Sequence, residues 1–444
     1  MSILNVNKIN PVGGGSTITI AGIASVTSSV TAPSFVGTVT GNVTGNVTGN
    51  ADTASGLSGN PSINTTGIVT ATSFVPTVGQ LSHRNLIING AMQVAQRGTS
   101  ATATLSYGTV DRFRISANGL DNNPDQAQIA LTSSDTPYTL GFRNAWQITN
   151  GNQSSGAGSG DEMELQYRAE AQDIANSGWD YTSASSYITV SFWVKSSVAQ
   201  NFYGYMTTLD GTRQSYPYET GSLSANTWTK ITKTIPGASG VQFDNNNDIA
   251  FYFNFLVPFS GTDKTSSGVT LNQWGAYSSS ARMPDNTSTW YTTDNATIAV
   301  TGVQLEVGPV ATPFEHRTYQ EEILRCMRYY QQLTGDDRGY KGATGGSGSF
   351  KNSVIGIYNA ATDVRGIYYH QVPMRDEPTL TVLGALSDFD LEPFDRAPAA
   401  ISMQRAGVFQ STLLIQDSGS GTAGNACQLT IDQAAGGLAF SAEL

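Results

Sequence analysis

IAVTGVQLEVGPVATPFEHRTYQEEILRCMRYYQQL, residues 298–333, parts two β-rich regions and holds the one stretch with a helical period. Its first ten residues alternate like a strand. Further on, Tyr319, Ile323, Cys326, Tyr330 and Leu333 follow one another at spacings of four, three, four and three. That is a heptad seam, narrower than the stripe of a helix lying on a globular core, and it predicts a short helix over 319–333. An isolated helix of fewer than about 12–15 residues is marginal in water. The seam therefore predicts partners, its own copies in neighbouring chains. The alternative is a short helix packed on its own domain.

Working outward, the 444 residues leave room for two to four domains. Charged residues make up 13% and glycine numbers 47, with Thr, Ser and Asn abundant and no long amphipathic helices. This balance predicts a mainly β protein with many loops. A net charge of −11 with scattered basic residues argues against binding a phosphate backbone, so no nucleic-acid partner is expected. The two cysteines, Cys326 and Cys427, are too few for a disulfide framework and read as small apolar residues. The opening MSILNVNKINPVGGG lacks the apolar run of a signal peptide, and no segment is long and apolar enough to span a bilayer. The expectation is a protein made in a cytoplasm, with no membrane insertion.

Residues 1–80 are repetitive and nearly uncharged. VTGN occurs three times in tandem over 39–50, and the ten residues from Val30 match those from Val69 at eight positions. Such repeats bury an apolar face by stacking or by joining other chains, which predicts an intertwined shaft; a flexible Gly/Thr linker is the alternative. From 81 to 318 strand patterns recur between Gly/Ser/Asn-rich turns. Ile188, Val190, Phe192 and Val194 share one face of a strand, as do Ile249, Phe251, Phe253 and Phe255. Strict alternation of this kind predicts a β-sandwich, jelly-roll-like, with long loops. Asn85–Gly90 reads as a strand with a turn, and Asp111–Ile115 as another strand. Thr318 is placed to cap the helix, with Glu321 and Glu322 in its first turn. Residues 334–444 read as a small C-terminal β-domain with strands near 353–358, 366–372, 379–383, 411–415 and 428–431.

Taken together, Asn85-Leu-Ile-Ile-Asn-Gly90, Gln96-Arg-Gly98, Asp111-Arg-Phe113, Ser191-Phe-Trp-Val-Lys195, Thr227-Trp-Thr-Lys-Ile231, Thr301-Gly-Val-Gln-Leu-Glu-Val-Gly308, Pro313-Phe-Glu315 and residues 322–331 resemble a domain of bacteriophage tail fibres. Pro373-Met-Arg375 with Pro378-Thr379 resembles a strand start in the distal domains of such proteins, and the likeness covers about residues 85–380. The VTGN and TSFV repeats look like amino-terminal shafts of structural proteins from phages of cyanobacteria. The resemblance implies a homotrimeric fibre of the virion. Its amino end would sit on a tail or baseplate protein. Its sandwich would be similar to a carbohydrate-binding module, used for contact in some fibres and only as a spacer in others, and its tip would meet a host surface glycan or lipopolysaccharide; a passive structural spacer of the virion is the alternative. The resemblance transfers no binding residues.

Some fibres degrade polysaccharide, which needs two carboxylates flanking the scissile bond, roughly 5–9.5 Å apart. Asp161-Glu162-Met-Glu164, Asp336-Asp337 and Asp388-Phe-Asp390 are the acidic clusters. Each sits beside Gly or Ser, where solvated loop charge is the ordinary explanation. His83, His316 and His370 have no second ligand at zinc spacing, and neither a phosphate loop nor a nucleophile motif is present. No enzyme activity, metal or cofactor is expected. Proteins grip sugars with exposed aromatic faces and a few placed polar groups. Tyr203, Tyr205, Tyr216 and Tyr218 cluster in the sandwich. Tyr340, Tyr358, Tyr368, Tyr369, His370 and Phe389 cluster in the tip, beside a Gly-rich stretch, and are the candidate receptor contacts. For each tyrosine alone, a core or rim position is the plainer expectation.

Overall fold

The computed structural model describes residues 83–335, 353–419, 421–433 and 435–444. The predicted shaft, with its VTGN and TSFV repeats, lies outside the described residues, as do Tyr340 and Asp336-Asp337.

Two six-stranded antiparallel sheets face each other between residues 100 and 307. One runs from edge to edge as Ser100–Ala101, Asp125–Ala130, Asn144–Thr149, Thr297–Val307, Tyr187–Ser196 and Thr229–Pro236. The other runs Gly275–Ala276, Gln214–Leu223, Gln200–Thr208, Ile249–Ser260, Glu162–Glu170 and Phe113–Asn118. The alternating residues do what their spacing predicts, except Ile249, which a register shift before Phe251 turns out of this core to pack half-buried against the Cys326 and Tyr329 cluster. Ile188, Val190, Phe192 and Val194 project from one sheet, and Phe251, Phe253 and Phe255 from the other, all fully buried in one core. Phe255 makes edge contacts with Phe192 across the interior and with Phe113 beside it. The protein is mainly β, and this part is a sandwich.

Asn85–Gly90 is a turn, not the predicted strand with a turn. Its asparagines supply bonds that a strand would take from a neighbour. Asn85 Oδ1 accepts from the Ile87 and Leu305 amides, and Asn85 Nδ2 donates to the Val303 carbonyl. Asn89, at φ 63°, accepts from the Val94 amide and donates to the Val94 and Asp111 carbonyls. Gly90 is required there, because a Cβ would sit 2.0 Å from the Val303 carbonyl oxygen.

The helix spans Tyr319–Met327, shorter than the predicted 319–333. Thr318 caps it, its hydroxyl accepting from the Glu321 amide while Glu321 reaches back to the Thr318 amide. Tyr330–Thr334, counted in the seam, is a strand paired with Gly437–Ser441. The seam residues therefore scatter. Tyr319 is exposed, Ile323 is half-buried, and Cys326 is fully buried against Ile88, Val94, Tyr329 and Leu444 of its own chain. Tyr330 is buried and Leu333 borders the C-terminal core. Two heptads are too little signal to outweigh a strand edge offering a ladder of hydrogen bonds. The Arg328 side chain fixes the break by donating to both oxygens of Glu170 at 2.7 and 2.8 Å.

Beyond it, a six-stranded sheet is ordered Phe389–Glu392, Ala426–Ile431, Ser353–Tyr358, Asp363–Tyr369, Gln410–Asp417 and Pro398–Arg405. A three-stranded sheet of Tyr330–Thr334, Gly437–Ser441 and Thr379–Leu383 accompanies it. Leu438 and Phe440 of the small sheet and Leu413, Ile415 and Leu429 of the large one share a core. The final residues return to the sandwich: Glu443 pairs with Arg112, a buried guanidinium stacked 3.4 Å over the Tyr329 ring. Arg375 donates to the Asn247 carbonyl at 2.8 Å.

Candidate functional site

Residues 162–170 read E-M-E-L-Q-Y-R-A-E, a strict alternation. Met163, Leu165, Tyr167 and Ala169 enter the core. Period two then sends Glu162, Glu164, Gln166 and Arg168 to the opposite face, where a cleft of about 200 Å³ opens over the sheet. The neighbouring strands complete its floor in register. Gln166 lies between Arg114 and Asn254, and Asn254 lies beside Tyr205. Arg168 lies beside Tyr252, and Tyr252 beside Thr207. Arg213, Tyr277 and Arg282 form a wall.

Carboxylates crowd one end. Glu162 takes Lys264 at 2.9 Å and shares the Arg282 guanidinium with Glu164, which Arg282 reaches at 3.2 Å. Tyr205 also donates to Glu164 Oε1. Glu164 is nonetheless pushed up to about 7, first by burial and then by the neighbouring Glu162 charge. The Asp161-Glu162-Met-Glu164 cluster is thus not solvated loop charge at its two glutamates. Both lie on a strand and are largely buried.

Amides and arginines occupy the middle and far end. Gln166 Nε2 donates to Asn254 Oδ1 at 2.7 Å, while Gln166 Oε1 accepts from Arg168 Nε at 2.7 Å and Arg114 Nη1 at 3.4 Å. The Arg213 guanidinium lies 4.0 Å from the Tyr277 ring centre and 6.0 Å from that of Tyr252, and Arg168 lies 4.5 Å from Tyr252. Both rings are half-buried. Such a surface offers convergent donors and acceptors beside aromatic carbon, which suits a hydroxyl-rich ligand.

Of the residues singled out from the sequence, Glu162, Glu164 and Tyr205 line the cleft, and the other described ones fall elsewhere. Tyr216 and Tyr218 belong to the sandwich core. In the tip, Tyr358, Tyr368 and Phe389 are core residues, which corrects their assignment as receptor contacts. Tyr358 donates to Asp417 at 2.5 Å, and Tyr368 stacks flat on Phe440 at 4.4 Å between centroids. His370 is also buried, with its Nε2 3.0 Å from Ser411 Oγ. Each sits at the inward phase of its strand, or follows directly from it. Tyr369, at the outward phase, is 68% exposed. The signal that could have found the cleft was the alternation at 162–170, whose polar half is too charged for an ordinary sheet face.

Among the described residues no group of three or more His, Cys, Asp or Glu could hold a metal ion, and no helix is long and apolar enough to cross a membrane.

No family model and no curated protein matches the chain. Solved structures do. The enzymatically active domain of tailspike protein 4 from bacteriophage CBA120 is similar at 12% identity and a TM-score of 0.25, over 50% of this chain and 21% of that one. The C-terminal family 22 carbohydrate-binding module of Clostridium thermocellum Xyn10B is similar at 10% identity and a TM-score of 0.24, over 45% of this chain and 88% of that one. A family 11 carbohydrate-binding module from Clostridium thermocellum, in complex with a mixed-linked tetrasaccharide, is similar at 10% identity and a TM-score of 0.21, over 49% of this chain and 99% of that one. Likenesses at these scores carry no inference about what this chain binds.

Proposed function

We propose that the protein is a non-enzymatic glycan-binding adhesin of the tail-fibre kind, acting in several copies, and that the sandwich cleft is its binding site. The observation that carries this reading is the cleft floor. Gln166, Asn254, Tyr252 and Tyr277 converge on one open face, and the hydroxyls of Tyr252 and Tyr277 have no hydrogen-bond partner among the described residues. Polar groups left unspent in a concave surface are what a sugar's hydroxyls require. The test is binding of the full chain to an array of bacterial surface oligosaccharides, alone and as Tyr252→Ala with Tyr277→Ala. Loss of binding in the variant is expected; undiminished binding would place recognition elsewhere.

A hydrolytic reading draws on one observation, the Glu164 carboxyl near neutrality beside Glu162. Its arrangement argues for binding instead, since both glutamates leave the same face of one strand and share Arg282, and do not face each other across a bond to be broken. Release of reducing ends from host polysaccharide by the purified protein would overturn the non-enzymatic reading.

For association between copies, the tip sheet offers a better surface than the helix. Ile355, Ile357, Ile367 and Tyr369 lie on the outward face of its central strands, 43–73% exposed. An apolar face on central strands is unusual for surface left in water. Its charged neighbours Asp363 and Arg365 are of opposite sign on one strand, so Asp363 of one copy can meet Arg365 of the next where several copies turn this face to a common axis. A second copy of the chain is the occupant we assign to it. A homotrimer anchored to a tail or baseplate protein is the assembly in which this would operate.

A further inference from the structure

We infer that the cleft selects an acidic glycan, one whose carboxylate or sulfate ester seats among Arg114, Arg168 and Arg213. This rests on the glycan-binding reading above and adds the chemical class of the ligand. The charge in the cleft divides by position. At one end Glu162 and Glu164 are neutralised by Lys264 and Arg282. At the other, Arg168 and Arg213 line the cleft, and Arg114 joins them through the Gln166 carbonyl. Among the described residues none of these three is paired with a side-chain carboxylate.

Their side-chain partners are neutral. Arg168 donates to Gln166 and to the Leu444 main-chain oxygen at 2.7 Å, Arg114 donates to Gln166, and Arg213 lies against the two tyrosine rings. The Nε atoms of Arg114 and Arg213 are buried without a hydrogen-bond partner, so donors remain to be satisfied. Crowding is felt within the cluster: burial and then the Arg114 charge hold the Arg168 guanidinium below its ordinary range. Two guanidinium groups lining the recess, Arg168 and Arg213, with Arg114 next to them and no side-chain carboxylate on any of the three, stand out in a chain of net charge −11. A forked guanidinium matches carboxylate or sulfate geometry and gives stronger bonds to an anion than to a hydroxyl.

The test uses the full chain and an array of matched hexasaccharides: a galacturonan with its carboxyl-reduced form, an alginate with its carboxyl-reduced form, and a sulfated galactan with its desulfated form. At least one charged member should bind about tenfold tighter than its neutral counterpart. Arg213→Gln, in a side chain with no hydrogen bond to lose, should remove most of that preference while leaving the melting temperature unchanged. Arg114→Gln serves as the second variant. The pair that responds separates carboxylate from sulfate. Neutral members binding as well as charged ones would overturn the acidic class and leave glycan binding standing. Binding to no member would overturn both, and discrimination that survives both variants would overturn the arginine seat.

Discussion

Glu164 is the residue on which the electrostatics of the cleft turn. The groups facing it are Glu162 on its own strand, Tyr205 on the adjoining region of the sheet and Arg282 from the wall, with Lys264 behind Glu162. Its carboxyl titrates near 7 in the fold against about 4.5 for an ordinary glutamate. The folded state therefore holds a proton that the unfolded chain has released, and stability falls as pH rises from about 4.5 to about 7. The effect is at most about 3 kcal/mol. Glu164→Gln should flatten this part of the pH–stability curve, followed by thermal melts at pH 5 and pH 8. Protonation also removes a negative charge from the cleft. The affinity for an acidic hexasaccharide should accordingly rise between pH 8 and pH 6 in the parent chain and stay level in Glu164→Gln.

Among the elements, the helix and the strand after it govern how the two β-regions join. The capping box at Thr318 stabilises the helix start, and Thr318→Ala should cost about 1 kcal/mol in a denaturant melt. Glu170 stabilises its end, taking both Arg328 and the Tyr329 hydroxyl. Glu170→Ala should cost about 1–3 kcal/mol, because those donors lose their acceptor inside the fold. Ile323→Asp with Tyr330→Asp would perturb folding first, since Tyr330 is buried against its own chain. This junction also marks how far the sequence could be read. Alternation found the sandwich strands, because a face such as Ile188–Val194 has one way to be buried. The capping signal at Thr318 likewise survived intact. The helix end did not, since pairing of Tyr330–Thr334 with Gly437–Ser441 joins residues about a hundred positions apart and leaves no local trace. The cleft was half legible: its polar row is written in 162–170, but its other lining comes from five further segments that only the sheet order brings together. In the tip, aromatic composition misled, since Tyr358 and Tyr369 look alike in sequence and fall on opposite faces of their sheet.

In the whole molecule, the adhesin role we propose would couple a recognition cleft on the sandwich to an association face on the tip. Weak sites held together raise avidity without new contacts, so the two features belong to one function. Replacing Ile355 and Ile367 by lysine should lower the oligomer mass in light scattering while preserving the melting temperature, since both side chains point outward. An unchanged mass would show that copies associate through another surface. The most direct test of the central claim compares two variants on the same oligosaccharide array. Tyr252→Ala with Tyr277→Ala alters the cleft, and Tyr369→Ala alters the exposed tip, the two being compared at matched oligomer mass. Loss of glycan binding in the first with retention in the second is the predicted result; retention in the first with loss in the second would contradict it.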